Sequence, residues 1–481
     1  MSTTAPPHTG RSSALELAAS IRGGERTAVD VLEDHLRVVD ARNPGLNAIV
    51  VDLRAAAREA ARAADRLVSA AAPGEELPPL LGVPITIKES IAVAGCPNSA
   101  GALPRRDVRA TEDAPVVARL RTAGAIPIGL TNTSELCMWI ETDNPVHGRT
   151  RNPYDPARTA GGSSGGEGAA IGAGMVPFGI GSDVGGSIRI PAAWNGVLGH
   201  KPSLGLVPLT GAFPPAVGET GRLLVNGPLA RRAEDLMPVL RTIAGPDGAC
   251  ERAVPTELGD PADVRLDGLR VLVGNRPFLG RTAPEVLAAR DRAAATLEAA
   301  GARIVPADLR GWRRAYESYL VALADGGTLT MMDGLVEAGY PRPTVRSLLR
   351  GSPHTAATRL LTLGDLLPSG SLRRRTRLVE AGRAFAREVA AQIGDGVLLV
   401  PPMPTTAPPH GTTLRRPWVG HGMQVLNLAA VPVTQVPMGL GRGGLPLGVQ
   451  VAAGPGRDHV SIAVALELER AHGGWVPPPV G

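Results

Sequence analysis

Hydrophobic positions along this 481-residue chain change period repeatedly, from helical spacing to short unbroken apolar runs and back. From Ala28, apolar residues fall at 28, 31, 32, 36 and 39, one face of a helix that Thr27 can cap. The pattern predicts that this helix ends before Asn43-Pro44, because proline interrupts helical bonding. "LNAIVV" reads as a short strand, and the Ala/Arg-rich 53–71 as a surface helix. "LGVPITIK" (81–88) predicts a buried strand ending at Lys88, "APVVARLRTAG" (114–124) a helix, and "AIPIGLTN" (125–132) a strand close behind it. "GEGAAIGAG" (166–174) fits a helix of small residues, "MVPFGIGSD" a strand, and Ser187 opens the next helix. Then come "GLRVLVG" (268–274), a helix at 284–300, "ARIVPAD", a helical stretch from 309 to 392, and the strand "GVLLVPP" (396–402). "VPVTQVPMGL" and "LPLGVQVAAG" read as a closing strand pair. Alternating strands and helices predict an α/β sheet protein. No boundary stands out, so the chain reads as one domain with insertions.

Composition narrows the function. With 43% hydrophobic and 20% charged residues, the chain has the make-up of a globular protein. Cys96, Cys137 and Cys250 are too few and too scattered for a disulfide framework or a metal site, which points to a reduced, cytoplasmic setting. The start, "MSTTAPPHTGRSSALEL", has no apolar core of a signal peptide. The stretch from Pro417 to Gly441 lacks charged side chains, but His421, Gln424, Asn427, Gln435 and its prolines argue against a transmembrane segment. The net charge of +5 is spread out; even "RRRTR" at 373–377 leads into a helical run and reads as a solvated face, not a nucleic-acid site. The Arg- and Pro-rich composition suggests a high-GC bacterium.

Of the 50 basic residues, only Lys88 and Lys201 are lysines. A bias of that kind leaves lysine where arginine will not serve. Arginine keeps its charge, whereas a buried lysine can lose its proton and act as a base. Lys201, in "HKPS", reads as a residue holding a loop carbonyl.

Two serine motifs compete for a nucleophile. "GGSSG" (161–165) satisfies the nucleophile-elbow pattern of α/β-hydrolases, but that elbow needs a buried strand before it. The preceding "RNPYDPARTA" is polar and broken by proline, so the elbow reading fails. "IGSDVGGS" fits better, with a strand, a glycine turn, and backbone N–H groups at Val184, Gly185, Gly186 and Ser187 that could form an oxyanion hole. Lys88 would be the base for Ser187, with Ser163 or Ser164 passing the proton.

At these residues the sequence resembles the amidase signature family, most closely its fatty-acid amide hydrolase 2 branch. "GVPITIKES", "GGSSGGEGAA" and "GSDVGGSIRIPAAW" occur in order, supported by "TNTSELCMW", "NGVLGHKPSLGLVP" and "LPLGVQVAAGPGRDH". The resemblance implies a central mixed sheet flanked by helices, with N-terminal helices at about 12–72, a catalytic core at about 80–240 and a helical cap at about 309–392. It implies a triad of nucleophile Ser187, bridging Ser163 on a cis peptide, and base Lys88. Asp183 and Arg189 would hold the serine network, with Ser164 structural. Cys137 would fall at an acyl-binding position, with Met138 and Trp139 beside it. The reaction would be hydrolysis of a small-molecule amide through an acyl-enzyme, with no cofactor or metal. A glutamine-dependent amidotransferase subunit and an amide-forming acyl transferase remain open, as does a homodimer. In the cap, Leu348, Leu349, Leu360, Leu361, Leu363, Leu366 and Leu367 interleave with Arg346, Arg350 and Arg359, a pattern that suits either an acyl-channel cover or plain core.

Overall fold

The computed structural model describes residues 11–215, 218–274, 281–324, 330–349, 351–365 and 371–479. At its centre lies an eleven-stranded sheet. In chain order its strands are β1 (Ile49–Asp52), β2 (Pro84–Lys88), β3 (Ile126–Thr131), β4 (Phe178–Asp183), β5 (Leu198–Lys201) and β6 (Val225–Ala230). They continue with β7 (Arg270–Val273), β8 (Arg303–Pro306), β9 (Val397–Val400), β10 (Val433–Leu440) and β11 (Pro446–Ala453). Across the sheet the order is β1-β3-β2-β4-β6-β5-β10-β11-β9-β7-β8. β2 is parallel to β3 and β4, and β7 is parallel to β8 and β9; the remaining pairs are antiparallel. The expected mixed sheet with flanking helices is present, and β10 and β11 form the expected closing pair.

Helices Ala14–Arg22, Ala28–Leu46 and Arg54–Ala70 make up the N-terminal region. Ser13 and Glu16 cap the first reciprocally, each side chain accepting from the other's backbone N–H. The second does not stop before Asn43-Pro44 as its sequence suggests. Pro44 sits in the last turn, where its missing N–H costs a single hydrogen bond. Asn47, in the left-handed region, ends the helix by donating to Asn43 O. The Asn43 side chain then accepts from Ala48 N and Ile49 N, steering the chain into β1.

The stretch from 309 to 392 is not one helical run. It divides into helices Trp312–Ala324, Met331–Glu337, Val345–Leu349, Ala356–Asp365 and Leu372–Ile393. Leu348 is buried while Leu349 and Leu360 are exposed; Arg350, Leu366 and Leu367 lie outside the described residues. β5 and β6 were not visible in the hydrophobic pattern. Both are buried along their whole length, so "LGHK" and "VNGPLA" show no alternation, and their Gly, Pro and Lys disguise them.

The topology decides where the chemistry gathers. Parallel β2 and β4 end at the same edge of the sheet, bringing Lys88 beside Ser182 and Asp183. Helix Gly165–Gly172 lies directly on this pair. A Cβ at Gly179 would come within 2.0 Å of Glu167 Oε2, so glycine in β4 is what lets the helix sit so close.

Candidate active site

Lys88 ends β2 with its side chain fully buried. Its Nζ donates to Ser163 Oγ at 2.7 Å and to Ser182 Oγ at 2.9 Å. Burial lowers the lysine pKa below its ordinary value, although Cys137, Asp183 and Glu167 pull the other way. Glu167 is itself buried behind it, accepting from Thr86 Oγ1 at 2.6 Å and Thr131 Oγ1 at 2.7 Å. Burial raises that carboxyl to about 7, against those two hydroxyls and Lys88.

Ser163 follows a cis peptide bond from Gly162 and is buried. The two serines of the "GGSSG" stretch separate here. Ser163 meets Lys88, while Ser164 Oγ donates to Ser182 O at 3.3 Å and its N–H donates to Ser187 O at 3.2 Å. Ser164 thus ties the two serine-bearing turns together through the backbone. Ser187 is 8% exposed, and its side chain makes no hydrogen bond among the described residues.

The turn carrying Ser187 is built around Asp183. Its Oδ1 accepts from Gly186 N at 2.7 Å, and its Oδ2 from Ile188 N at 3.2 Å. Arg189, fully buried, donates to both oxygens at 3.0 and 3.2 Å, and Asn427 Nδ2 donates to Oδ1 at 2.9 Å. Burial would raise the Asp183 pKa, but Arg189 and Asn427 outweigh it and hold it at about 2. Gly186 spends its N–H on Asp183, leaving Val184, Gly185 and Ser187 as the N–H groups without a protein acceptor among the described residues. Ser187 also precedes the helix instead of opening it, since Arg189–Trp194 begins two residues later.

Cys137, Met138 and Trp139 do not act as one patch. Leu136 and Cys137 both have positive φ, 53° and 60°, which turns the loop sharply. The Cys137 thiol lies against Lys88 and 3.3 Å from Thr133 Oγ1. Cys137 and Met138 pack with Ala100, Leu136, Phe213, Met331, Leu335 and Tyr340. Trp139 turns to the other side, against Ile140, Ile190, Trp194, Met403 and Met423, and its Nε1 donates to Thr413 Oγ1 at 3.0 Å.

Lys201 is also fully buried, at the end of β5. Its Nζ donates to Pro202 O at 3.2 Å, the loop-carbonyl role expected of it. Burial, reinforced by Arg189 and opposed by Asp183 and Asp458, lowers its pKa to about 7.

Sequence reasoning missed Ser182, Asn427, Glu167 and Tyr319. Ser182 stood inside the quoted "IGSDVGGS" and needed only the β2–β4 register to reveal it. Asn427 and Tyr319 come from distant helices, and nothing local marks them. Tyr319 Oη donates to Val184 O at 3.3 Å, bracing the turn from helix Trp312–Ala324.

A family description, Amidase, matches residues 30–461. The chain is 39% identical to fatty-acid amide hydrolase 2-B of Danio rerio, across 97% of this chain and 91% of that protein. It is 34% identical to indoleacetamide hydrolase of Bradyrhizobium diazoefficiens, across 96% and 86%. Among solved structures, a bacterial aryl acylamidase of the amidase signature family superposes with a TM-score of 0.83 at 25% identity, across 96% of each chain.

Proposed function

From the premise that this chain belongs to the amidase signature family and is an amide hydrolase, we propose that it cleaves amides of apolar or aromatic acids through an acyl-enzyme on Ser187. The observation that carries this reading is the 2.7 Å contact between buried Lys88 and Ser163. Neutral Lys88 takes the Ser163 proton as Ser163 takes that of Ser187, and Ser187 attacks the amide carbonyl. The open N–H groups of Val184, Gly185 and Ser187 receive the developing oxyanion. The relay then returns a proton to the nitrogen, because an amide anion is a poor leaving group. Water entering by the reverse route frees the acid. Asp183 and Arg189 keep the turn in shape and touch no substrate atom.

The apolar surroundings of Cys137 and Met138 support an acyl-binding role for this side of the site. A sheet running from residue 49 to residue 453 supports one amidase domain over the whole chain. The three free cysteines support a cytoplasmic setting. No helix among the described residues is long and apolar enough to cross a membrane.

The test is a series of acyl p-nitroanilides from acetyl to decanoyl, with glutamine as a separate substrate. The purified chain should release p-nitroaniline, with kcat/KM rising by about fourfold per methylene buried against the apolar cluster of Cys137 and Met138, equivalent to about 0.8 kcal/mol. Turnover of glutamine with none of the anilides would point to an amidotransferase subunit. Preferential capture of the acyl group by an added amine over water would point to acyl transfer.

A further inference from the structure

Glu135 is a carboxylate buried to 2% exposure in the loop before Cys137, and no lysine or arginine forms an ion pair with it among the described residues. Its partners all come from one distant segment. His354 Nδ1 lies 2.7 Å from Oε1, while Thr355 N and Thr358 Oγ1 donate to Oε2 at 3.0 and 2.7 Å. That segment starts helix Ala356–Asp365, where Thr355 Oγ1 accepts from Thr358 N at 3.2 Å. The His354 ring meets Tyr340 edge-on at 4.5 Å, and Tyr340 Oη in turn accepts from Leu103 N at 2.9 Å. The next two residues after Glu135 are Leu136 and Cys137 with their left-handed backbone, and Leu136 N donates to Ala100 O at 2.8 Å. Leu361 of the same helix packs in the cluster that holds Leu136, Cys137 and Met138.

Apolar packing alone would let this helix slide over the loop, because dispersion contacts are weakly directional. Three hydrogen bonds to one carboxylate do not slide. Removing the acceptor leaves three donors unpaired in a buried place, so the segment must move to satisfy them. We propose that Glu135 is a specificity-determining positioning residue: by holding residues 354–358 against the loop of Cys137 and Met138, it sets how well long acyl chains are bound. The inference rests on the acyl-binding reading of that loop.

The experiment uses Glu135→Leu, which removes both oxygens, and the milder Thr358→Val in the full chain, with the acetyl and octanoyl members of the anilide series and amide hydrogen exchange. In Glu135→Leu, KM for the octanoyl substrate should rise about tenfold while acetyl kcat and KM stay within about twofold of wild type. Exchange across 354–365 should quicken by about tenfold or more, with Trp312–Ala324 unchanged. Thr358→Val should move the same quantities less far, and it decides the matter if Glu135→Leu does not fold. Equal losses on both substrates, an unchanged chain-length ratio, or unchanged exchange would overturn the proposal. A failure of the mechanism itself would look different, as turnover retained by Ser187→Ala with the chain-length ratio intact.

Discussion

Lys88 shows what one residue's surroundings can do. Burial pulls its pKa down, and the nearby acidic groups only partly restore it, so its neutral form is available at lower pH than for an exposed lysine. The rate should therefore rise with pH through that lowered pKa as Nζ loses its proton. Arginine at this position would keep a positive charge and offer no base. Lys88→Arg and Lys88→Ala are both expected to lose about 100-fold or more in kcat, the usual scale of general-base loss. Arginine activity within about tenfold of wild type would make Lys88 an electrostatic anchor instead. This lysine was legible in the sequence because arginine had replaced nearly every other. The same signal singled out Lys201, which donates to Pro202 O and makes no hydrogen bond to Ser163, Ser182 or Ser187 among the described residues. The bias thus marks buried lysines and leaves their chemistry to be found from geometry. Ser182 and Asn427 carried no such mark, since their partners lie on other strands and helices.

At the scale of elements, the turn after β4 is held from two directions. Asp183, Arg189 and Asn427 grip it from below, and helix Trp312–Ala324 leans on it through Tyr319. A Cβ at Gly185 would stand 2.3 Å from Tyr319 Oη, inside any permitted contact. Gly185→Ala should therefore displace the N–H groups proposed to hold the oxyanion and cost about 100-fold in kcat, the scale for losing one oxyanion donor. Tyr319→Phe removes the clashing oxygen, so the double variant should regain part of that loss in steady-state assays. Gly185→Ala with wild-type kcat would show that the turn accommodates the methyl without moving. The sequence revealed the turn through its paired glycines, yet not the helix that presses on it. β2 was readable as a short apolar run and helix Ala28–Leu46 by its helical spacing, signals that β5 and β6 lack. Periodicity and unbroken apolar runs mark an element; glycine and proline inside a strand buried on both faces erase the mark.

For the whole molecule, the mixed α/β character was legible from the alternation of segments, whereas the strand order was not. Eleven strands can be arranged in many ways, and pairing β2 with β4 joins segments far apart in the chain. That pairing is what sets Lys88 beside Ser182 and the turn that carries Ser187, and with it stands the claim that Ser187 becomes acylated. The most direct measurement is intact-protein and peptide mass spectrometry after rapid acid quench, during turnover of an acyl p-nitroanilide. One acyl group should appear on the peptide containing Ser187, vanish as substrate is exhausted, and be absent in Ser187→Ala, which should fold normally and lose turnover. An acyl adduct on Cys137 or Ser163 with Ser187 unmodified, or turnover persisting in Ser187→Ala, would contradict the account.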